Sequence, residues 1–419
     1  MQIEDSFGTE AGTYAKTKMA NGLRVIVCSR PLTRSFGWCL KVRAGGRDGK
    51  PHIAHLVEHL AYSKRSKLDS LSARANAFTY IDRTEFHAEG HVENIDATLD
   101  TIRNVLRPLS VNPQRVKQEL EVLRREQIEF GWMQLLLNSV HYRVVGGNAL
   151  GCAYKVNRHK PSFPKFTADE CNQFHQDFYR PDNSELAIVS PLPIDRVLRL
   201  LQVDAGERIH APAPSNSEHK KMPNRLIWQW FYNYYATCCV WHKQPVSDMS
   251  QWLKFNLANK VLGGQGRLFD ALRIKNQLAY GIYVDAVKQA EQICHIVSVN
   301  PRTAAVKRAI ELIASEFKRF QSPIPRDEFD EQLRNCCQSF ELLEEDSFQL
   351  PKWLLQWNEN AENLVTPQHL SLQTKKITRE LLAEFAVDFF RTENRNIYLA
   401  GSFGPLGWHR AKRFAVGKL

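Results

Sequence analysis

No stretch of this 419-residue chain approaches the ~20 consecutive apolar residues that cross a bilayer, so the sequence offers no membrane-spanning helix. Residues 1–18 also lack the apolar core of a secretory signal and carry Glu4, Asp5 and Glu10 instead, which makes the cytoplasm the expected compartment. There is no CxxC pair. Nine cysteines, an odd count, are scattered as Cys28, Cys39, Cys152, Cys171, Cys294 and the adjacent pairs Cys238-Cys239 and Cys336-Cys337. That usage predicts packed free thiols in a reducing compartment, not a disulfide framework or a thiolate metal site. Low-complexity tracts are absent, and 43% hydrophobic with 24% charged residues is the composition of a folded protein. A formal net charge of +11 raises the question of nucleic acid or acidic membranes as partners. The densest basic grouping, Lys64-Arg65-Ser66-Lys67, has none of the interleaved aromatics of a single-strand platform. A solvated basic face is therefore expected, with neither nucleic acid nor membrane as a partner.

What the chain does contain is an internal repeat. At an offset of 211, Phe174-His175-Gln176-Asp177-Phe178-Tyr179-Arg180-Pro181-Asp182-Asn183 lies over Phe385-Ala386-Val387-Asp388-Phe389-Phe390-Arg391-Thr392-Glu393-Asn394, and each copy runs into an apolar strand. The same offset superposes two helical stripes, Ile95, Leu99, Ile102, Leu106 and Leu109 on Val306, Ile310, Ile313, Phe317 and Phe320. Spacings of 4, 3, 4 and 3 put all five on one helical face. The length itself calls for more than one core. The expectation is a duplicated α+β protein: residues 1–205, a proline-rich linker at 206–224, and residues 225–419. Each half should carry a mixed, mostly antiparallel sheet with helices on one side. Asn21-Gly22 marks a hairpin turn before Leu23 to Val27, while Trp38, Leu40 and Val42, and then Glu85 to His91, alternate as strands do.

The chemistry concentrates at His55-Leu56-Val57-Glu58-His59, within a stretch free of Gly and Pro from His52 to Asp82. On a helix, His55 and His59 share a face and Glu58 borders it, so two imidazoles can grip one metal beside a carboxylate base. A catalytic zinc takes three protein ligands and keeps a fourth position open. The predicted helix Gln114 to Ile128 supplies two candidates on one face, Glu119 and Glu126. Two other groupings compete. Glu85, His87, Glu89 and His91 would share a strand face, as a rival cluster or as the polar side of a half-buried strand. His52 precedes His55 by three, as a ligand or as the first turn of the helix. At the repeat offset the second half offers Gly266, Phe269 and Asp270 in place of His55, Glu58 and His59, so the motif belongs to one half only.

Five segments taken in chain order resemble the pitrilysin and insulysin superfamily of zinc metallopeptidases, in size its mitochondrial-processing-peptidase and small bacterial branch. They are Asn21-Gly22-Leu23-Arg24-Val25, the HxxEH run at 55 to 59, Asn76-Ala77-Phe78-Thr79 with Asp82 and Thr84, Glu119 with Glu126, and Gly263 to Arg273 followed by Leu278-Ala279-Tyr280. The resemblance implies that His55, His59 and Glu126 ligate one Zn2+, that Glu119 supports them, and that Glu58 is the general base. It further implies that Asn76, Ala77 and Phe78 face substrate, that Arg273 and Tyr280 are the second half's catalytic contribution, and that the halves face each other as a clamshell. His59 and Glu126 stand closer in sequence than the family's usual spacing, with the shortening between Leu60 and Asn76. The implied activity is endoproteolysis of short or unfolded peptides in a closed chamber, extended by analogy to maturing a ribosomally made precursor. A homodimer is expected, or a heterodimer with a homologous chain. The alternative from the same superfamily is a non-catalytic partner subunit.

Overall fold

Alternating apolar residues in short runs build two sheets. The computed structural model describes residues 3–9, 12–62, 74–129, 164–201, 226–230, 235–245, 248–263, 266–289, 292–359, 361 and 363–402. The expected linker at 206–224 lies outside them, as do Cys152, Gly264 and Gln265. The described residues fall into two compact units. The first holds the described residues up to 201 and those of 341–369; the second holds those of 226–340 and 370–402. Residues 341–369 thus join the first unit, a placement that a simple cut at the linker does not anticipate.

The first unit holds a seven-stranded sheet of β1 (Ile3–Gly8), β2 (Thr13–Lys18), β3 (Arg24–Ser29), β4 (Ser35–Val42), β5 (Arg74–Thr79), β6 (Thr84–His91) and β7 (Ser184–Ser190). Its order is β1-β2-β3-β7-β4-β6-β5, with only the β3 and β7 pair parallel. The expected turn at Asn21-Gly22 joins β2 to β3: Gly22 takes φ 93°, which favours glycine, and the Asn21 side-chain oxygen accepts from Leu23 N–H at 3.1 Å. Val25, Val27, Trp38, Leu40, Leu186 and Ile188 line one face, against helices Ile53–Ala61, Ile95–Leu106, Pro113–Glu129 and Ala168–Phe178. Helices of the first 201 residues behave as expected. The opposite face also carries apolar residues, Ile26, Cys28, Cys39, Ala187 and Val189, and these bury Leu350, Leu354 and Leu355 of helix Gln349–Trp357. This sheet is therefore covered on both faces, which is why β7 reads as an unbroken apolar run, Leu186 to Val189. Gly37 of β4 makes the close approach possible, since a Cβ there would lie 1.6 Å from the Ser347 carbonyl oxygen.

The second unit holds β8 (Leu226–Trp230), β9 (Thr237–Pro245), β10 (Ile282–Gln289), β11 (Gln292–Val299) and β12 (Arg395–Gly401) in the order β10-β11-β9-β12-β8, with β12 and β8 parallel. Read from the parallel pair outward, β8-β12-β9-β11-β10 repeats β3-β7-β4-β6-β5. The repeat also survives in detail. Helix Arg379–Phe389, a 3-10 turn Thr392–Asn394 and β12 stand 211 residues after Ala168–Phe178, Pro181–Asn183 and β7. Asn183 donates to the Phe178 carbonyl at 2.8 Å, and its counterpart Asn394 donates to that of Phe389 at 3.0 Å. The second stripe is where its spacing put it, with Val306, Ile310, Ile313, Phe317 and Phe320 buried on one helix. In the first, Ile95, Leu99, Ile102 and Leu106 are buried on the helix, but Leu109 lies past its end at Leu106 and only packs partly buried against the core. The eight described cysteines are all buried free thiols, as the usage predicted.

Candidate metal centre

The HxxEH run forms helix Ile53–Ala61, entered through His52 in a left-handed conformation at φ 71°. Ile53, Leu56, Val57 and Leu60 recur at helical spacing and bury their side chains in the first core, which fixes the helix rotation. His55 and His59 are thereby turned to a neighbouring face, with ring centroids 4.9 Å apart and planes at 73°. The helix that faces them starts at Pro113, where a missing N–H costs nothing, and Asn112 accepts from Arg115 N–H at 2.9 Å. Val116 and Leu123 anchor it in the same core. That leaves Glu119 and Glu126, also seven apart, directed at the histidines.

Glu126 Oε2 lies 3.5 Å from His59 Nε2 and 3.7 Å from His55 Nε2. One ligand atom from each of His55, His59 and Glu126 fits within 4.8 Å of the other two, and among the described residues this is the one group of three or more His, Cys, Asp or Glu that meets such spacing. Two imidazoles and a carboxylate are the donor set of a catalytic zinc site. The donors present therefore fit that ion. Glu119 supports the centre from behind: its Oε2 is 3.4 Å from His59 Nδ1 and its Oε1 2.7 Å from Arg115. A carboxylate on the distal ring nitrogen orients the imidazole and raises its basicity. Burial and the adjacent His59 push His55 down to about 3, so it is neutral near pH 7. Burial also opposes a charge on His59, but hydrogen bonds with Glu119 and Glu126 outweigh it and raise that group to about 9.

Glu58 is buried, and Thr79 Oγ1 donates to its Oε2 at 2.6 Å. Thr79 is a site residue that the spacing arguments passed over. Its signal was the alternation of β5: Ala75, Ala77 and Thr79 face the motif helix, so a hydroxyl at the last of these positions meets Glu58. Arg74, Asn76 and Phe78 point to the other face of the sheet. β5 is the edge strand, and Ala77 N–H is held by the Asn76 side-chain oxygen at 3.0 Å.

The competing groupings are otherwise engaged. Glu85 pairs with Arg83 at 2.6 Å, Glu89 with Arg74 at 2.5 Å and His91 with Glu93 at 3.7 Å. His87 stacks on Phe78 with centroids 5.5 Å apart. His52 is buried and precedes the helix, outside the ligand trio. In the second unit, Gly266, Phe269 and Asp270 stand at the turn of helix Arg267–Phe269 and the π-helical stretch Asp270–Lys275. There the Arg273 guanidinium lies over the Tyr280 ring, 4.4 Å from its centroid, and Tyr280 is 84% exposed.

Known proteins give the geometry a context. Residues 24–153 match the family described as Insulinase (Peptidase family M16), and residues 165–336 match the Peptidase M16 inactive domain. The metal-ligand trio falls in the first of these. The chloroplastic stromal processing peptidase of Pisum sativum is 28% identical over 212 residues, 46% of this chain and 16% of that protein. An uncharacterized zinc protease of Bacillus subtilis (strain 168) is 21% identical over 279 residues, 63% of this chain and 68% of that protein. The chain thus spans about a sixth of the length of the chloroplast peptidases it matches. In fold, an M16-like peptidase of Alicyclobacillus acidocaldarius aligns with TM-score 0.76 at 15% identity, covering 94% of this chain and 99% of that one. A protease from Helicobacter pylori aligns with TM-score 0.74 at 17% identity, covering 93% and 99%.

Proposed function

The chain belongs to peptidase family M16, and from that premise we propose that it is a zinc-dependent endopeptidase acting on short or unfolded peptides. The observation that supports this reading most is the convergence of His55, His59 and Glu126 within 4.8 Å, one residue away from the buried carboxylate of Glu58. His55 Nε2, His59 Nε2 and Glu126 Oε2 would hold the ion. Zinc bound there supplies a Lewis acid, which makes water nucleophilic at neutral pH.

The rest of the work falls to the chain's own groups. Glu58 takes the proton of the attacking water and passes it to the departing amine nitrogen, a transfer that asks for a carboxylate held in one orientation. Thr79 provides that hold on Oε2. Substrate adds to the open edge of β5 as a further strand, its main chain replacing the Asn76 side chain at Ala77 N–H. Arg273 and Tyr280 are assigned to substrate contact, the phenol as a hydrogen-bond donor and the guanidinium as a carbonyl clamp.

The test is metal analysis of the purified protein with incubation in a mixed peptide library, with and without a chelator, on wild type and Glu58→Gln. General-base loss predicts a fall in kcat/KM of about 10²- to 10⁴-fold with zinc retained. Chelator-insensitive cleavage, or a Glu58→Gln protein nearly as active as wild type, would overturn the proposal.

A further inference from the structure

A second concave site lies on the sheet face away from the motif helix. It is a cavity of about 420 Å³, open at one side and lined by Arg74, Asn76, Phe78, His87, Phe348 and Lys352, among others. Three of these residues belong to β5 itself, so the cavity adjoins the open strand edge. All of them lie in the first unit.

The charges in the cavity are not equivalent. Glu89 is neutralised by Arg74 at 2.5 Å. Asp346, the remaining acid of the lining, accepts with Oδ1 from the N–H groups of Phe348 and Gln349, each at 2.9 Å, as a cap for helix Gln349–Trp357. Behind the cavity, Glu85 is taken by Arg83. Lys352 is different. Among the described residues its ammonium makes no ion pair and no hydrogen bond; it sits over two rings, 3.8 Å from the Phe348 centroid and 6.0 Å from that of Phe78. Burial pulls its proton affinity below the ordinary lysine range, outweighing the longer-range pull of Cys39, Glu85, Glu89 and Asp346. His87, 1% exposed, brings a buried ring nitrogen, Nδ1, with no hydrogen-bond partner. The cavity therefore offers two phenyl rings beside a cation with no carboxylate in direct contact.

A peptide paired along β5 points every second side chain to this face and the intervening ones to the motif helix. We propose that the cavity is a specificity pocket for one acidic side chain of the bound peptide, with Lys352 as the residue that selects it. This rests on the strand-addition reading above. The hydrocarbon stem of a glutamate would pack against Phe78 or Phe348, and its carboxylate would meet the Lys352 ammonium, which sits beside both rings. The preference belongs to a single position, because the immediate neighbours point to the other face and the next side chains on this face are about 7 Å away along the strand.

The experiment uses peptide sets that differ only by Glu, Gln or Lys at each position in turn, cut by the full chain. A charge-assisted hydrogen bond is worth about 1.5–3 kcal/mol, so one position should favour Glu over Gln by about tenfold or more in kcat/KM. Lys352→Met should bring that ratio to about one, Lys352→Arg should keep it, and Lys352→Glu should favour Lys. A Glu preference that survives in Lys352→Met, or no such position in wild type, overturns the proposal. If no peptide is cut, the peptidase reading fails by itself and binding decides the pocket. Fluorescence anisotropy of the same labelled peptides on Glu58→Gln protein should show the Glu peptide bound about tenfold tighter than its Gln twin, and equal affinities would refute the assignment.

Discussion

His295 gives the sharpest test of the energetics, because its environment leaves the imidazole nothing to bond. It lies on β11, fully buried, opposite His242 of β9, with Phe390 and Phe317 at ring-centroid distances of 5.3 and 6.0 Å. Neither ring nitrogen has a hydrogen-bond partner among the described residues. Burial pushes its pKa from 6.5 down to about 3. In the unfolded chain it titrates near 6.5, so below that pH the unfolded state binds a proton that the folded state refuses. The stability associated with His295 is thus present above pH 6.5 and is lost as pH falls toward 3. The slope is about 1.4 kcal/mol per pH unit, so acidification from pH 7.5 to 5.0 costs about 2 kcal/mol through this one group. His242 is depressed too, by burial first and then by Arg395 and His295, and adds a loss of the same sign. His295→Phe removes one titration while leaving an aromatic ring in an aromatic box. Hydrogen exchange of β9 and β11 amides, corrected for intrinsic rates, reads local stability at the two pH values. The loss between pH 7.5 and 5.0 should be about 2 kcal/mol smaller in the variant. Parallel pH profiles would refute the reasoning.

Two further outcomes follow from the first unit. Glu119→Gln keeps the size of a side chain that contacts His59 and Arg115 but removes its charge, and zinc affinity measured by competition with a chromophoric chelator should drop about 10- to 100-fold. Gly37→Ala forces a methyl group into the Ser347 carbonyl, so β4 and helix Gln349–Trp357 must separate; the melting temperature should fall by several degrees, for a cost of about 1–3 kcal/mol, and an unchanged value would show that the contact gives way freely.

Local periodicity made much of this molecule legible. Spacing alone set His55 and His59 on one face and paired Glu119 with Glu126, and the 211-residue repeat foretold helix, turn and strand in both halves. Spacing left the two glutamates equivalent, and only the family resemblance separated them; in the fold both approach His59, but Glu126 also reaches His55, whereas Glu119 lies against the outer nitrogen. Thr79 stands in the Asn76 to Thr79 segment without a role there, because it meets Glu58 across 21 residues through strand phase, which the segment itself does not reveal. Lys352 could not have been found from the chain at all. It joins Phe78 across 274 residues, and nothing in Gln349–Trp357 distinguishes a helix that covers a distant sheet from one that packs near its own neighbours.

That covering helix has a consequence for biosynthesis. Ile26, Cys28, Cys39, Ala187 and Val189 are all translated before residue 200, yet their apolar partners Leu350, Leu354 and Leu355 emerge roughly 150 codons later. Throughout that interval the nascent sheet presents a greasy, unoccupied face to solvent and to its own kind, the condition under which growing chains aggregate or recruit chaperones. Cutting the gene at the apparent midpoint would make the exposure permanent. The repeat suggests two interchangeable halves, but the ribosome delivers the first one unfinished.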